Sequence, residues 1–255
     1  MNKYLISILG PTAIGKTKLA INLAEKYSTE IISADSRQFY KELNIGAAKP
    51  SNNDLNRVKH HLINNKSVID NYSIGEFERD AIKNITKIHK KADIAILVGG
   101  SGLYLDVINY GLDQIPKSDE NIRDFLNNEF KLKGLNHIQN ELKEKDLISF
   151  NSIDLNNPRR IIRALEVTIS NGKPYSSFLK KKNNKRNFKT IEIGLKDDRE
   201  LIYNRINNRV DKMIANGLVN EVNDLVQHKE LNSLNTIGYK EVFDYLEGKS
   251  DLDNA

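Results

Sequence analysis

The chain is predicted to be α/β, with a P-loop parallel-sheet core, helices on both faces of the sheet and an inserted basic helical domain. Three observations predict this. Apolar strand-like runs alternate with helical patterns through residues 4–98, and a further run returns at 190–195. A glycine-rich turn, Gly10-Pro11-Thr12-Ala13-Ile14-Gly15-Lys16-Thr17, joins the first apolar run to the first helical pattern. Residues 117–188, by contrast, carry no strand pattern and an excess of basic charge.

From the N-terminus, Tyr4–Leu9 reads as the first strand. Lys16–Tyr27 follows as a helix with Leu19, Ala20, Leu23 and Ala24 on its inward face. Glu30–Ala34 is a second strand, and Glu76–Lys91 a helix with Phe77, Ile82, Ile85 and Ile88 inward. Asp93–Val98 is apolar without alternation, the pattern of a strand buried on both faces. The middle segment then offers helices at Glu120–Lys133, Ile138–Lys145 and Pro158–Ser170. Pro158 falls in a first turn, where its missing N–H costs little, and Asn171-Gly172-Lys173-Pro174 is a stop. Lys180–Arg186 is a polar loop, and Thr190–Leu195 a strand that rejoins the sheet. Helices follow at Arg199–Ala215, Leu218–Gln227 and Tyr239–Leu246. The expected division is therefore 1–116 with 189–255 as the core, and 117–188 as the insertion.

A length of 255 residues suits a core domain with a smaller insertion, and 39% hydrophobic with 29% charged residues reads as globular. Cysteine is absent, which excludes disulfides and thiolate catalysis and leaves any metal site to oxygen or imidazole donors. No apolar run approaches the ~20 residues that span a bilayer. The short apolar N-terminus runs straight into the glycine-rich turn, so it reads as a strand rather than a signal sequence. The expectation is a cytoplasmic monomer with no membrane partner. The net charge of +5 is unevenly placed: residues 117–189 hold 16 Lys and Arg against 9 Asp and Glu. Such a segment suits contact with a polyanion.

The Gly10–Thr17 turn matches G-x-x-x-x-G-K-[ST] in its proper setting, between a strand and an amphipathic helix. Glycines let several N–H groups turn inward, and the helix N-terminus favours an anion. Lys16 supplies a point charge, and the Thr17 hydroxyl can ligate Mg²⁺. A nucleotide hydrolase would carry an acid at the end of a second apolar strand. Here that strand ends Val98-Gly99-Gly100-Ser101-Gly102, with no acid. The acid at the carboxyl edge is instead Asp35, after the second strand. Its position favours a general base or a carboxylate in the outer shell of a metal over a helix-capping or turn residue beside Ser36. Ser101 offers a hydroxyl near the phosphate loop. His60 and His61 lack a third ligand at suitable spacing and read as loop or packing residues. Phe39, Tyr40 and Tyr104 read as core or pocket-wall aromatics.

These residues, taken in order, resemble the tRNA dimethylallyltransferase (tRNA isopentenyltransferase) family. The resemblance rests on Gly10–Thr17, Ser33-Ala34-Asp35-Ser36-Arg37-Gln38-Phe39-Tyr40, Asn44-Ile45-Gly46-Ala47-Ala48-Lys49-Pro50, His60-His61-Leu62-Ile63 and Tyr72-Ser73-Ile74-Gly75-Glu76-Phe77. It continues through Val98-Gly99-Gly100-Ser101-Gly102-Leu103-Tyr104, Pro158-Arg159-Arg160 with Arg163-Ala164-Leu165-Glu166, and Thr236-Ile237-Gly238-Tyr239-Lys240-Glu241. Together the motifs span nearly the whole chain.

The resemblance implies transfer of a dimethylallyl group from its diphosphate to N6 of adenosine 37 in tRNA. The phosphate loop, Gly10, Pro11, Thr12, Ala13, Ile14, Gly15, Lys16 and Thr17, would then hold dimethylallyl diphosphate rather than ATP. Lys16, Thr17 and Mg²⁺ would neutralise the leaving group, with Thr12, Ser101 and Arg209 beside it. Asp35 would take the proton from the adenine amine. The tRNA anticodon stem-loop would meet Asp35, Ser36, Arg37, Gln38, Ser101, Gly238, Tyr239 and Lys240, and the basic insertion through Arg123, Arg159, Arg160 and Arg163. The Lys180–Arg186 loop would be a nonspecific aid. Ser101 stands where the family usually has Thr, and the hydroxyl is kept. Family members usually continue past the Gly238–Glu241 motif with helices that carry a basic, aromatic segment, so either a truncated chain or an abbreviated natural form is expected. The competing readings are an isopentenyltransferase acting on free adenine nucleotides, a small-molecule kinase, and an RNA-binding module with a vestigial phosphate loop.

Overall fold

The computed structural model describes residues 2–179, 186–252 and 254. Contacts divide the chain into two compact units, Met1–Tyr110 with Lys185–Ala255, and Gly111–Asn184.

The first unit is built on five parallel strands: β1 (Tyr4–Leu9), β2 (Ile31–Ser33), β3 (His60–His61), β4 (Ile94–Val98) and β5 (Lys189–Gly194). Their order across the sheet is β3-β2-β4-β1-β5. β1 pairs with β4 (Ile6 opposite Ile96) and with β5 (Ile6 opposite Ile191). Central strands of such a sheet are covered on both faces, which is why β4 is a continuous apolar run rather than an alternating one. Ala95, Ile96 and Leu97 are fully buried.

The helices of this unit are α1 (Lys16–Lys26), α2 (Asn52–Arg57), α3 (Ile74–Ile88) and α4 (Gly102–Tyr110) in its first part. α1 buries Ala20, Ile21 and Ala24 against Ile6, Ile8, Ile31 and Ile96. α3 begins in a capping box: the Ser73 hydroxyl accepts from the Glu76 N–H and the Glu76 carboxylate accepts from the Ser73 N–H. Its buried face is Phe77, Ala81, Ile85 and Ile88, so Ala81 takes the place expected of the half-buried Ile82.

β1, β2 and β4 are neighbours, and their carboxyl ends lead into Gly10–Thr17, Asp35 and Gly99-Gly100 respectively. Ligands of open α/β sheets bind along this edge. Gly99 lets two of these ends approach each other. A Cβ there would lie 2.1 Å from the Ala34 carbonyl oxygen, so no side chain fits.

Among the described residues, the second unit holds four α-helices, α5 (Glu120–Lys133), α6 (Leu135–Lys145), α7 (Leu147–Ser152) and α8 (Pro158–Asn171), and a 3₁₀ turn at Tyr175–Phe178. Leu126, Ile138, Leu142, Ile161 and Leu165 form its core. α8 has the predicted first-turn Pro158, with the Asn157 side chain capping the Arg160 N–H and Gly172 in the left-handed C-cap conformation. α6 starts at Leu135, three residues before the expected Ile138. The carboxylate of Asp146, which is 3% exposed, accepts from the N–H and hydroxyl of both Ser149 and Ser176. Burial pushes its pKa up, but these four donors outweigh burial and hold it below the ordinary value.

The rest of the first unit contains α9 (Arg199–Ala215), α10 (Leu218–Asn223) and α11 (Tyr239–Leu246). α10 ends four residues earlier than expected, and a short 3₁₀ turn at Val226–His228 follows.

Candidate active site

A cavity of about 560 Å³ opens at the carboxyl edge of the sheet, with Thr12, Lys16, Thr17, Asp35, Gln38 and Arg209 in its wall. The phosphate loop reaches it through left-handed backbone at Ala13 (φ 60°) and Gly15 (φ 97°). That conformation is rare for a residue with a Cβ, so Ala13 marks a locally strained turn.

Lys16 curls back over its own loop, and its Nζ donates to the carbonyls of Gly10 (2.8 Å) and Pro11 (2.7 Å). Burial lowers the Lys16 pKa; the Asp35 carboxylate opposes that shift and the Arg209 guanidinium adds to it. Arg209 comes from α9, and its Nη1 donates to Thr12 Oγ1 at 3.3 Å. Burial lowers its pKa as well, against the pull of Asp35. The wall of this partly desolvated cavity carries four cations, Lys16, Lys18, Arg57 and Arg209, against two carboxylates, Asp35 and Asp54. A dianionic or trianionic group fits that imbalance better than a neutral one.

Asp35 is both a turn residue and a member of the cavity wall. Its Oδ1 accepts from the Arg37 N–H at 2.9 Å, which orients the carboxylate and leaves further lone pairs on it. Arg37 donates from Nη2 to the Asn235 carbonyl at 3.2 Å, and its buried Nε has no partner. Gln38 is fully engaged: Ser33 Oγ donates to its Oε1 at 3.0 Å, and its Nε2 donates to the Ala47 and Ala48 carbonyls at 3.3 Å each. Ser36 follows Asp35 in the same turn, half-buried. Ser101 stands just before α4, its carbonyl accepting from Tyr104 and Leu105, while Gly99 and Gly100 rather than Ser101 line the cavity.

Thr17, whose hydroxyl is a hard oxygen donor, lines the cavity beside Lys16. Among the described residues, no group of three or more His, Asp or Glu is placed to hold a metal. That donor set fits a hard divalent ion that takes most of its ligands from substrate phosphates and water.

Several expected residues have other work. Tyr239 is 0% exposed and donates its hydroxyl to Glu221 Oε1 at 2.5 Å, so its role is structural and it presents no surface to RNA. Gly238 (φ 89°) permits the turn into α11, and Lys240 is exposed. In the second unit, Arg123 and Arg163 both clasp Glu166, which is 4% exposed. Arg123 Nε donates at 2.8 Å and Arg163 Nη1 at 3.0 Å, so both guanidiniums are anchored on one buried carboxylate, which offsets one of their two charges. Arg159 and Arg160, on the exposed start of α8, have no ion-pair partner among the described residues. Most of the Lys180–Arg186 loop lies outside the described residues. Arg186 is described, and it is buried work: Nε and Nη2 cap the Ile108 and Val107 carbonyls at the end of α4, and Nη2 pairs with Glu78. His60 and His61 form the edge strand β3 rather than a loop. His60 Nδ1 lies 2.8 Å from the Val58 carbonyl, and His61 Nε2 pairs with Glu30.

Comparison with known proteins places this architecture. The family described as IPP transferase matches residues 38–255. The tRNA dimethylallyltransferase of Christiangramia forsetii is 52% identical over all of this chain and 84% of its own length. That of Flavobacterium johnsoniae is 48% identical over 98% of this chain and 83% of its own length. Among solved structures, the full-length tRNA isopentenylpyrophosphate transferase of Bacillus halodurans superposes with a TM-score of 0.69 at 35% identity, over 99% of this chain and 80% of that one. A eukaryotic dimethylallyltransferase solved acting on tRNA gives 0.81 at 27% identity, over 97% of this chain and 64% of that one. With the motifs spread along both units and a match that runs through nearly the whole sequence, the chain belongs to the IPP transferase family, that of the tRNA dimethylallyltransferases.

Proposed function

We propose that this protein transfers the dimethylallyl group of dimethylallyl diphosphate to N6 of adenosine 37 in tRNA, releasing diphosphate. The observation that carries the reading is one cavity holding both halves of the chemistry. Lys16, Arg209 and Thr12 supply cations and a hydroxyl on one side, and Asp35 supplies a carboxylate.

In this reading the diphosphate draws Lys16 away from the Gly10 and Pro11 carbonyls. The adenine amine attacks C1 of the dimethylallyl group. A C–N bond forms as the C1–O bond breaks, the electron pair leaves with the diphosphate, and Asp35 receives the N6 proton. The barrier lies in separating an allylic cation from its leaving group, so preplaced charge on the leaving oxygens is the most productive aid. Thr17 would hold Mg²⁺, whose charge adds to that of Lys16 and Arg209. The acceptor base must leave its stack to reach a recessed cavity, as base-modifying enzymes require.

For the RNA surface, Arg159 and Arg160 carry the proposal, because neither has an ion-pair partner among the described residues, whereas Arg123 and Arg163 are held on Glu166. Removing Arg159 and Arg160 together should reduce the salt slope of stem-loop binding by about 1–2, since each phosphate contact contributes a little under one unit. Fluorescence titrations from low to moderate salt would measure it. An unchanged slope would move the phosphate contacts elsewhere. Among the described residues no helix is long and apolar enough to cross a membrane. A cytoplasmic monomer acting on the anticodon stem-loop is the form we propose.

The direct test is transfer of radiolabelled dimethylallyl diphosphate to an unmodified anticodon stem-loop carrying adenosine at position 37, with AMP and ADP as parallel acceptors. Label on the RNA alone is the expected result. Label on the nucleotides would favour a free-nucleotide isopentenyltransferase.

A further inference from the structure

The loop of residues 44–50 has no part in the steps described above, although its Ala48 and Pro50 stand in the wall of the same cavity, and its conformation is held from two sides. The N–H groups of Asn44, Ile45 and Gly46 all donate to the Glu221 carboxylate, at 3.0, 2.8 and 3.1 Å. Three successive amides turned toward one point form a concave anion site. Here the anion is a side chain from the first turn of α10, 175 residues from Gly46. The Tyr239 hydroxyl is a fourth donor to the same carboxylate. The Tyr239 ring lies directly on Gly46, where a Cβ would come within 2.4 Å of a ring carbon. From the other side, Lys49 Nζ donates to the Tyr40 carbonyl (2.6 Å), the Lys41 carbonyl (3.3 Å), Asn44 Oδ1 (3.0 Å) and Asn64 Oδ1.

The output of this loop is at its far end. The Ala47 and Ala48 carbonyls are the two acceptors that hold the Gln38 amide, and Ala48 stands in left-handed backbone (φ 45°) to present its own. The other end of Gln38 is fixed by Ser33, which is 2% exposed. Gln38 therefore faces the cavity, three residues after Asp35, in one enforced orientation. Among the described residues, no hydrogen bond joins this network to the phosphate loop.

We infer that Glu221 is a positioning residue for the acceptor side of the reaction. It acts through the 44–48 loop on Gln38, and leaves the diphosphate side untouched. This rests on the functional reading above, in which Asp35 takes the adenine proton, and on Gln38 lining the same cavity as Asp35. A carboxylate is suited to the task because it accepts from four donors at once. Glutamine would turn an NH₂ group toward N–H donors and lose the charge-assisted bonds.

The test compares Glu221→Gln and Tyr239→Phe with the unaltered chain in three measurements: steady-state transfer to the stem-loop, calorimetric binding of inorganic pyrophosphate, and backbone hydrogen exchange. Glu221→Gln should raise KM for the stem-loop about 10- to 30-fold, on the scale of one charged hydrogen bond. It should leave KM for dimethylallyl diphosphate and the pyrophosphate affinity within about twofold. Amide exchange should quicken in residues 36–40 as well as 44–48, and remain unchanged in 10–17. Tyr239→Phe should move the same quantities in the same direction by less, and it carries the test if the glutamine variant does not fold. Equal losses for both substrates, or faster exchange confined to 44–46 with an unaltered stem-loop KM, would overturn the inference and leave Glu221 a purely structural residue. If the unaltered chain binds pyrophosphate but transfers nothing, the functional reading fails. Exchange in 36–40 and stem-loop affinity then still decide the role of Glu221.

Discussion

Asp35→Asn is expected to lower turnover by about 10²- to 10⁴-fold, the usual span for loss of a general base, while diphosphate affinity changes by no more than about twofold. The substitution is nearly isosteric. The amide oxygen can still accept from the Arg37 N–H, so the turn after β2 should survive. What is lost is an acceptor for the N6 proton. Single-turnover transfer at saturating stem-loop, set against calorimetric titration with pyrophosphate, separates the two effects. Burial lowers the pKa of both Lys16 and Arg209, and the nearby Asp35 carboxylate partly opposes that shift. A second, opposite consequence follows: with its negative charge removed, the cavity should bind pyrophosphate as well as before or slightly better. Equal losses in binding and turnover would instead make Asp35 a structural turn residue.

Lys16→Ala is expected to weaken diphosphate binding by about 10- to 100-fold, the scale of one or two lost charge-assisted hydrogen bonds. In the ligand-free protein the ammonium is spent on the Gly10 and Pro11 carbonyls. Those oxygens lie at an exposed turn and can be taken over by water, so stability should change little. Calorimetry with pyrophosphate reads the affinity and thermal unfolding reads the fold. Affinity unchanged from that of the unaltered chain would show that Arg209, Thr12 and the loop amides suffice to hold the anion. Loss of affinity with a collapsed melting temperature would mean that the loop itself had come apart.

The parts of this site that could be read in the linear sequence are those whose physics is local. The phosphate loop is one uninterrupted stretch, and its flanking strand and helix are each defined by residues a few positions apart. Asp35 was legible from its place after an apolar run. Arg209 was reached only through family resemblance, because nothing within its own helix marks it; the contact with Thr12 spans 197 positions. β3 escaped because two residues cannot display a period, and α4 because its Gly-Gly-Ser-Gly start reads as a turn. Glu221 gave no local signal, and its partners lie in a loop and a helix distant in the chain.

Sequence alone determined the strand–helix alternation, the anion-binding turn, the acid at the sheet edge and the basic bias of the middle segment. Each depends on neighbours within a turn or two of chain, or on simple sums of charge. Only tertiary structure decided which charges remain free to act. Arg123 and Arg163 are anchored together on Glu166, and Arg186 on the end of α4, while Arg159 and Arg160 stay open to solvent. It also turned Tyr239 from a surface residue into a buried donor for Glu221. A charged or polar side chain has the same local signature in either case. Its role is set by whichever partner the packing brings within hydrogen-bonding reach, and that partner is rarely a neighbour in sequence.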